Sequence, residues 1–504
     1  MSFIKNTARV GLLTFVSRIT GYIRDVLIAS LLGASIWNDA FILALRLPNL
    51  FRNIFGEGAF NNAFVPIFAQ KLKASPRQAS IFAAKIHTIL ITALCIFCAV
   101  MLYNMRSIVL ITTPGMSDDM ELIKLITDLT QITFPYLIFI SLAAFHGGVL
   151  NAQGKFAAFA MMPILFNLVL ITACFMHVGG NVTTIRILAW AVLLAGFFEL
   201  IFMIVFSYKS NSLIGFSVPS WGRDTRQLLR RFFPGVVGSG VMHINLWVDT
   251  MLASFVSNGI SYLYYADRVN QLPLAIIGTA LGTVLLPVLA KEVANNSFEK
   301  VINLQNQAIK FAMFIVLPAA IGLFSLAFEI IRLLFAHGNF DENAVLQTAL
   351  SLQVMTMGLP AYVLTKIFLA LFYANGDTRT PVINGLICIV SNVIFSLIFM
   401  PTMQHVGIAL ATIISAWINF IILFLISIAR GWYKLSAAVL KYIIKYIFAC
   451  IIMFIVIYFV RNLLTTDNEL LLTSALIISG VVSYGIICLM IKAIPKKENE
   501  HAAI

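Results

Sequence analysis

The sequence predicts an all-α integral membrane protein of fourteen transmembrane helices, with two pseudo-symmetric six-helix lobes around a central cavity and two extra helices at the C-terminus. Three observations carry that prediction. Of the 504 residues, 60% are hydrophobic and only 11% charged, against about 25% charged in an average soluble domain. Fourteen apolar stretches reach the roughly 20 residues that a bilayer-spanning helix needs. The first twelve of them form two sets that repeat one another. Connections average on the order of 13 residues, too short for a folded soluble domain, so an extramembrane enzyme domain is excluded. The runs are continuous and contain Gly and Pro, unlike the weak alternating segments of an outer-membrane barrel.

The first six spans are 10–32, 36–55, 79–103, 123–150, 156–177 and 185–208. The next six are 232–256, 262–289, 311–335, 346–374, 381–400 and 406–429, and the last two are 440–460 and 470–491. The first is a retained span rather than a cleaved signal, because Arg18, Arg24 and Asp25 interrupt its apolar core and no small-residue cleavage site follows. Arg18, Gly21 and Asp25 stand at i, i+3 and i+7, a polar stripe on one face of that helix. The second carries Asp39, Arg46 and Arg52, the seventh Asp249, and the eighth Asp267 and Arg268. Cys95, Cys98, Cys174, Cys388, Cys450 and Cys488 all fall inside spans and read as small buried hydrophobes, with no second ligand pair beside the Cys95–Cys98 motif. His146 and His243 lack metal-ligand spacing and read as packed histidines. Glu199, Glu329, Arg332, Lys366 and Lys445 read as structural or interfacial.

Lysine and arginine set the orientation. With the N-terminus cytoplasmic, 22 of the 34 basic residues lie in inside loops and tails and 4 (Arg106, Lys124, Arg186 and Arg461) lie outside. Both termini are therefore expected in the cytoplasm, as an even number of spans also requires. The remaining eight lie within or beside spans and are the informative part of the +13 net charge.

Self-similarity comes next. The run DVLIAS at 25–30 recurs as DTMLAS at 249–254, and LP at 47–48 as LP at 272–273. Pro135 and Asn167 have the same spacing as Pro360 and Asn392. The offset stays near 224, which makes 1–220 one lobe, 221–435 a second, and 436–504 an appendix. An even number of spans separates the repeats, so their axis runs along the membrane normal, as in transporters that alternate access.

A charge at mid-bilayer costs about 2.5–3.5 kcal/mol on insertion scales, so the charged spans must face water, a partner or a ligand. Arginines outnumber acids there, and arginine suits bidentate capture of phosphate. The expected cargo is therefore anionic and phosphorylated. Arg18, Arg24, Arg52 and Arg268 are the candidate binding residues. Asp25, Asp39 and Asp267, grouped with Glu57, are candidate gate residues, the outer charges pairing to close the periplasmic side. Asp249, Asn392, Ser396 and Thr412 form a candidate sodium site of oxygen donors, against which stands an interhelical hydrogen-bond cluster. The basic, aromatic stretch at 221–232 reads as a helix on an anionic leaflet rather than a nucleic-acid surface.

The motifs SRITGYIRD at 17–25, NDAF at 38–41, RLPNL at 46–50 and FGEGAF at 55–60 resemble the N-terminal signature of the MurJ/MviN lipid II flippases. YYADR at 264–268, leading into Leu272 and Pro273, is similar to that family too. The resemblance implies a MATE-like member of the multidrug/oligosaccharidyl-lipid/polysaccharide exporter superfamily in the bacterial inner membrane. Its activity would be moving lipid II, the undecaprenyl-diphosphate-linked peptidoglycan precursor, to the periplasmic leaflet for cell-wall synthesis. It implies functional roles at Arg18, Arg24, Asp39, Arg52 and Arg268, a lipid-tail groove on spans 13 and 14, and cell-wall synthesis machinery as a partner. It also implies sodium coupling in some members, for which Asp249 matches while Ser396 stands where an acid would be expected. No Walker motif is present, so no nucleotide cofactor is expected, and the membrane potential is the other candidate drive. The competing readings are a flippase for another polyprenyl-diphosphate glycan, a cation-coupled drug exporter of the same superfamily, and an integral-membrane transferase or phosphatase. The last would need clustered acids or histidines at one membrane face.

Overall fold

The computed structural model describes residues 2–176, 179–212, 214–219, 222–464, 466 and 468–495, and of these the backbone alone at 2–8, 57, 59, 234–235, 237–243 and 276–284. The side chains of the candidate Glu57 and of His243, and the whole of Trp221, Lys496 and Lys497, thus lie outside what is described.

The described chain is helical throughout. The first half contains α1 (Ser2–Leu32), α2 (Ile36–Arg52), α3 (Ala59–Ala74), α4 (Pro76–Tyr103), α5 (Met105–Thr112), α6 (Met120–Thr133), α7 (Tyr136–Ala152), α8 (Ala157–Phe175) and α9 (Asn181–Lys209). The second contains α10 (Arg223–Ala253), α11 (Gly259–Ala294), α12 (Phe298–Ser325), α13 (Ala327–Phe335), α14 (Glu342–Thr356), α15 (Leu359–Ala374), α16 (Arg379–Ala429), α17 (Ala437–Leu463) and α18 (Glu469–Met490). Helix starts follow capping chemistry. The Asp119 and Asp341 side chains accept from the amides of Leu122 and Ala344 at 2.9 and 2.8 Å, and Ser75 precedes Pro76 at the first position of α4. Among the described residues nine segments are by themselves long and apolar enough to cross a membrane.

Several spans drawn as continuous are interrupted. The one at 123–150 breaks between α6 and α7 around Phe134 and Pro135, and the one at 346–374 breaks between α14 and α15. The expected spans 381–400 and 406–429, by contrast, are parted where expected, by a sharp bend at Gln404 (φ 51°, ψ −132°). Just beyond the bend Gly407 passes the Phe399 backbone so closely that a Cβ would stand 2.7 Å from it. A five-residue π-helical turn, Asn53–Glu57, follows α2 and carries the chain into α3.

Two compact units organise this chain. The first contains residues 1–261 and the short turn 337–340; the second contains 262–336 and 341–504. In the first, α1 packs on α8, α7 on α9, and α10 on α3, around stacked rings of Phe60, Phe64, Phe68 and Phe82. The second is centred on α12, α15, α16 and α17, with Phe368, Phe372, Tyr433 and Tyr446 buried. The repeat restarts near residue 221, whereas α10 packs with the first unit, so the packing boundary falls after Ser261. All six cysteines are free and five are buried. Cys95 is the exception to the reading of buried hydrophobes, being exposed on α4.

Candidate functional site

The polar stripe of α1 is a graded one. Arg18 is exposed, while Arg24, six residues further on, is 9% exposed and already bonded. Arg24 donates from Nε and Nη2 to Asp25 Oδ1 at 3.0 and 2.6 Å, and from Nη1 to Asn167 Oδ1 on α8 at 2.9 Å. The Phe166 ring lies 5.7 Å from the guanidinium carbon. Arg52 closes α2, half-buried where the π-helical turn begins. In that turn Gly56 lies against α7, with room for a Cβ at 3.5 Å from Ala144 and 3.7 Å from the Ser141 backbone.

Beyond the C-terminus of α1, four turns of the first unit are tied together. Asp39, in the first turn of α2 and fully buried, accepts from the Ser261 amide at 2.8 Å and from the Ser261 hydroxyl. The Asn339 amide donates to Ser30 O at 2.8 Å and its side chain to Leu31 O at 2.6 Å. Ser254 Oγ accepts from the Gly115 amide at 3.0 Å. Gly33 (φ +65°) and Gly338 (φ +60°) make the approach possible: a Cβ on either would stand 2.3 Å from the carbonyl oxygen of the facing segment. Asp39 is thus held by a serine, with Arg46 contributing only at a distance. Asp25 pairs with its own neighbour Arg24.

In the second unit Arg268 lies over the Tyr264 ring at 5.4 Å, and Asp267 accepts from Gln271 one turn along α11. Asn392 Oδ1 accepts from Ser396 Oγ at 3.4 Å and Thr412 Oγ1 at 3.5 Å, both long bonds. Three of the four candidate sodium ligands are therefore together, while Asp249 belongs to the first unit. Among the described residues no three His, Cys, Asp or Glu side chains gather as a metal site. His146 is buried with Nδ1 3.2 Å from Ser207 Oγ and its ring edge-on to His87, as a packed histidine would be. Glu329 and Arg332 are structural: Arg461 bridges to Glu329 at 2.6 Å, and Arg332 to Glu342 and Glu469 at 3.1 and 2.9 Å, joining α13 to α14, α17 and α18. An apolar groove of about 240 Å³ runs between α12 and α17, lined by Leu317, Ile321 and Phe324 on one side and Ile447, Ile451 and Phe454 on the other.

Sequence reasoning missed Ser261 and Asn339 as partners, and it used Asn167 only as a repeat marker. The signal for Asn167 was present, since Asn392 holds the same place in the second repeat and is likewise a polar centre.

A family model described as "Lipid II flippase MurJ" matches residues 28–479. A probable lipid II flippase MurJ of Rickettsia prowazekii is 35% identical over 92% of this chain and 91% of its own length. That of Rhizobium meliloti is 36% identical over 96% and 92%. A solved lipid II flippase MurJ in an inward closed conformation superposes with a TM-score of 0.81 at 28% identity, covering 97% of this chain and 99% of that one. An inward-facing multidrug MATE transporter superposes with a TM-score of 0.67 at 17% identity over 82% and 94%, a likeness of fold.

Proposed function

The chain belongs to the MurJ family of lipid II flippases, and from that premise we propose how its own residues carry the lipid. The protein is a multi-pass helical membrane protein and a lipid II transporter rather than a catalyst. In our reading fourteen helices cross the inner membrane with both termini in the cytoplasm. The nine apolar segments are joined by the charge-bearing α1, α2, α10 and α11 and by the bend at Gln404 that divides α16. Lobes 1–220 and 221–435 alternate access, and 436–504 is the appended pair.

The observation that carries the mechanism is the tie between the four turns beyond α1. At 1.5 Å per residue, Arg24 and Arg18 lie roughly 12 and 21 Å along the helix from Leu32, a ladder of guanidinium groups leading away from a sealed end. We take that end as periplasmic, with Asp39, Asp25, Asp267 and Glu57 as gate residues. The lipid's diphosphate enters from the cytoplasmic side onto Arg18, Arg24, Arg52 and Arg268, since guanidinium is the side chain best matched to phosphate oxygens. Its prenyl chain stays in lipid against spans 13 and 14, which are α17 and α18, beside the apolar groove that α17 makes with α12, where a polar head would lose its hydration. The arginines at the start of α10 rest on anionic headgroups. Asn392, Ser396 and Thr412 offer uncharged oxygens that suit a hard cation, and Asp249 would supply the charge for sodium coupling.

Translocation of labelled lipid II in proteoliposomes tests this reading. Arg18→Ala and Arg268→Ala each slow flipping at least tenfold while the folded protein is retained. Rates equal to the parent in both variants overturn the assignment of the binding arginines.

A further inference from the structure

Asn167 lies where α8 meets α1, and its amide is committed at both ends. Nδ2 donates to the Ser17 carbonyl and to the Thr20 hydroxyl, each at 3.1 Å. With both donors used on α1 the amide has one orientation left, and Oδ1 faces along the helix to accept from Arg24 Nη1 at 2.9 Å. Gly21 faces this amide, and a Cβ there would stand 3.4 Å from Nδ2, in ordinary contact. Asp25 takes Nε and Nη2 from the other side. The guanidinium is thus gripped on two edges, with one N–H on each terminal nitrogen left for a ligand.

The chemistry of the grip matters as much as its geometry. Arg24 and Asp25 together sum to zero charge, and an amide holds the guanidinium without adding a second carboxylate that would repel a phosphate. We propose that Asn167 is a positioning residue for substrate recognition, presetting the Arg24 guanidinium toward the diphosphate of lipid II through a neutral acceptor. This rests on the reading of Arg24 as a substrate contact.

A role confined to pinning α1 against α8 makes different predictions, because Thr20 shares the pin and does not touch Arg24. Lipid II affinity is measured on the full-length protein in nanodiscs, with thermal unfolding recorded for every variant. Asn167→Ala weakens binding about tenfold, the scale of one hydrogen bond to a charged group. Thr20→Ala changes it less than about twofold, within the scatter of a net neutral hydrogen bond. Asn167→Asp binds more weakly than Asn167→Ala, and Asn167→Ala combined with Arg24→Ala is no weaker than Arg24→Ala alone. Parent-like affinity in Asn167→Ala, equal losses in Asn167→Ala and Thr20→Ala, or additive losses in the double variant overturn the positioning role. If Arg24→Ala itself binds as the parent does, the reading of Arg24 fails and the role of Asn167 fails with it. Additive losses beside a weakened Arg24→Ala overturn Asn167 alone.

Discussion

Gly338, in one of the turns that meet beyond α1, and Gly154, in the open connection between α7 and α8, separate steric from backbone effects. Gly338 has φ +60°, and a Cβ there would collide with the Ser30 carbonyl at 2.3 Å; Gly154 has φ +79° and nothing within 4 Å. Both positions charge an L-residue about 1–2 kcal/mol for the left-handed backbone, but only Gly338→Ala must also push two segments apart. Gly338→Ala is therefore expected to speed the labelling of a cysteine placed at Ala253, which is 1% exposed near this end, by several-fold. Gly154→Ala should lower the unfolding temperature without changing labelling. Equal labelling of both variants and the parent would show that these turns do not hold the end closed. Here the residue types were visible in the sequence and their pairing was not. Nothing in a linear reading distinguishes the glycine that faces a carbonyl 308 positions away in the chain from the one that faces solvent. A separation of 222 positions likewise hid Asp39 from Ser261, whose amide at the first turn of α11 the carboxylate caps.

At the scale of elements, apolar runs located the helices well because hydrophobic length is what a membrane selects. They also parted 381–400 from 406–429 on either side of the bend at Gln404, but not the breaks inside 123–150 and 346–374, which depend on local backbone geometry. The interruptions at Phe134–Pro135 and between α14 and α15, and the π-helical turn after Arg52, show where single apolar runs bend. Connections are held by chemistry that composition cannot separate from solvated charge. Between α15 and α16, Asp377 accepts from the Thr380 amide at 2.9 Å and its hydroxyl at 2.6 Å, and from Arg430, which lies 4.8 Å over the Trp432 ring. Partial burial pushes the Asp377 carboxyl up, but the Thr380 bonds and the Arg430 guanidinium outweigh it and hold it down at about 2. Because the folded value lies below the unfolded one, near 3.9, the stabilisation is complete above about pH 4 and is lost as pH falls toward 2. Asp377→Asn should therefore unfold at a lower temperature than the parent at pH 6, with the gap narrowing below pH 4. A gap unchanged down to pH 2.5 would contradict the ionised knot.

Across the whole molecule, the arginines are fixed to helices while the lipid's phosphates travel, so flipping moves net negative charge outward. Each uncompensated charge gains about 2.3 kcal/mol per 100 mV of inside-negative potential. A binding site that only rocks between two openings does not cancel that work, because its own charges return on every cycle. Oriented proteoliposomes with a potassium diffusion potential should thus flip lipid II faster as the interior becomes more negative. Collapsing the potential with symmetric potassium should remove the gain. The sodium proposal separates from this cleanly. Asp249→Asn should abolish acceleration by an inward sodium gradient while leaving, in the absence of sodium, the response to potential that the lipid's own charge carries. Flipping indifferent to potential would overturn both drives, because a sodium ion moving inward and a phosphate charge moving outward are each favoured by an inside-negative potential.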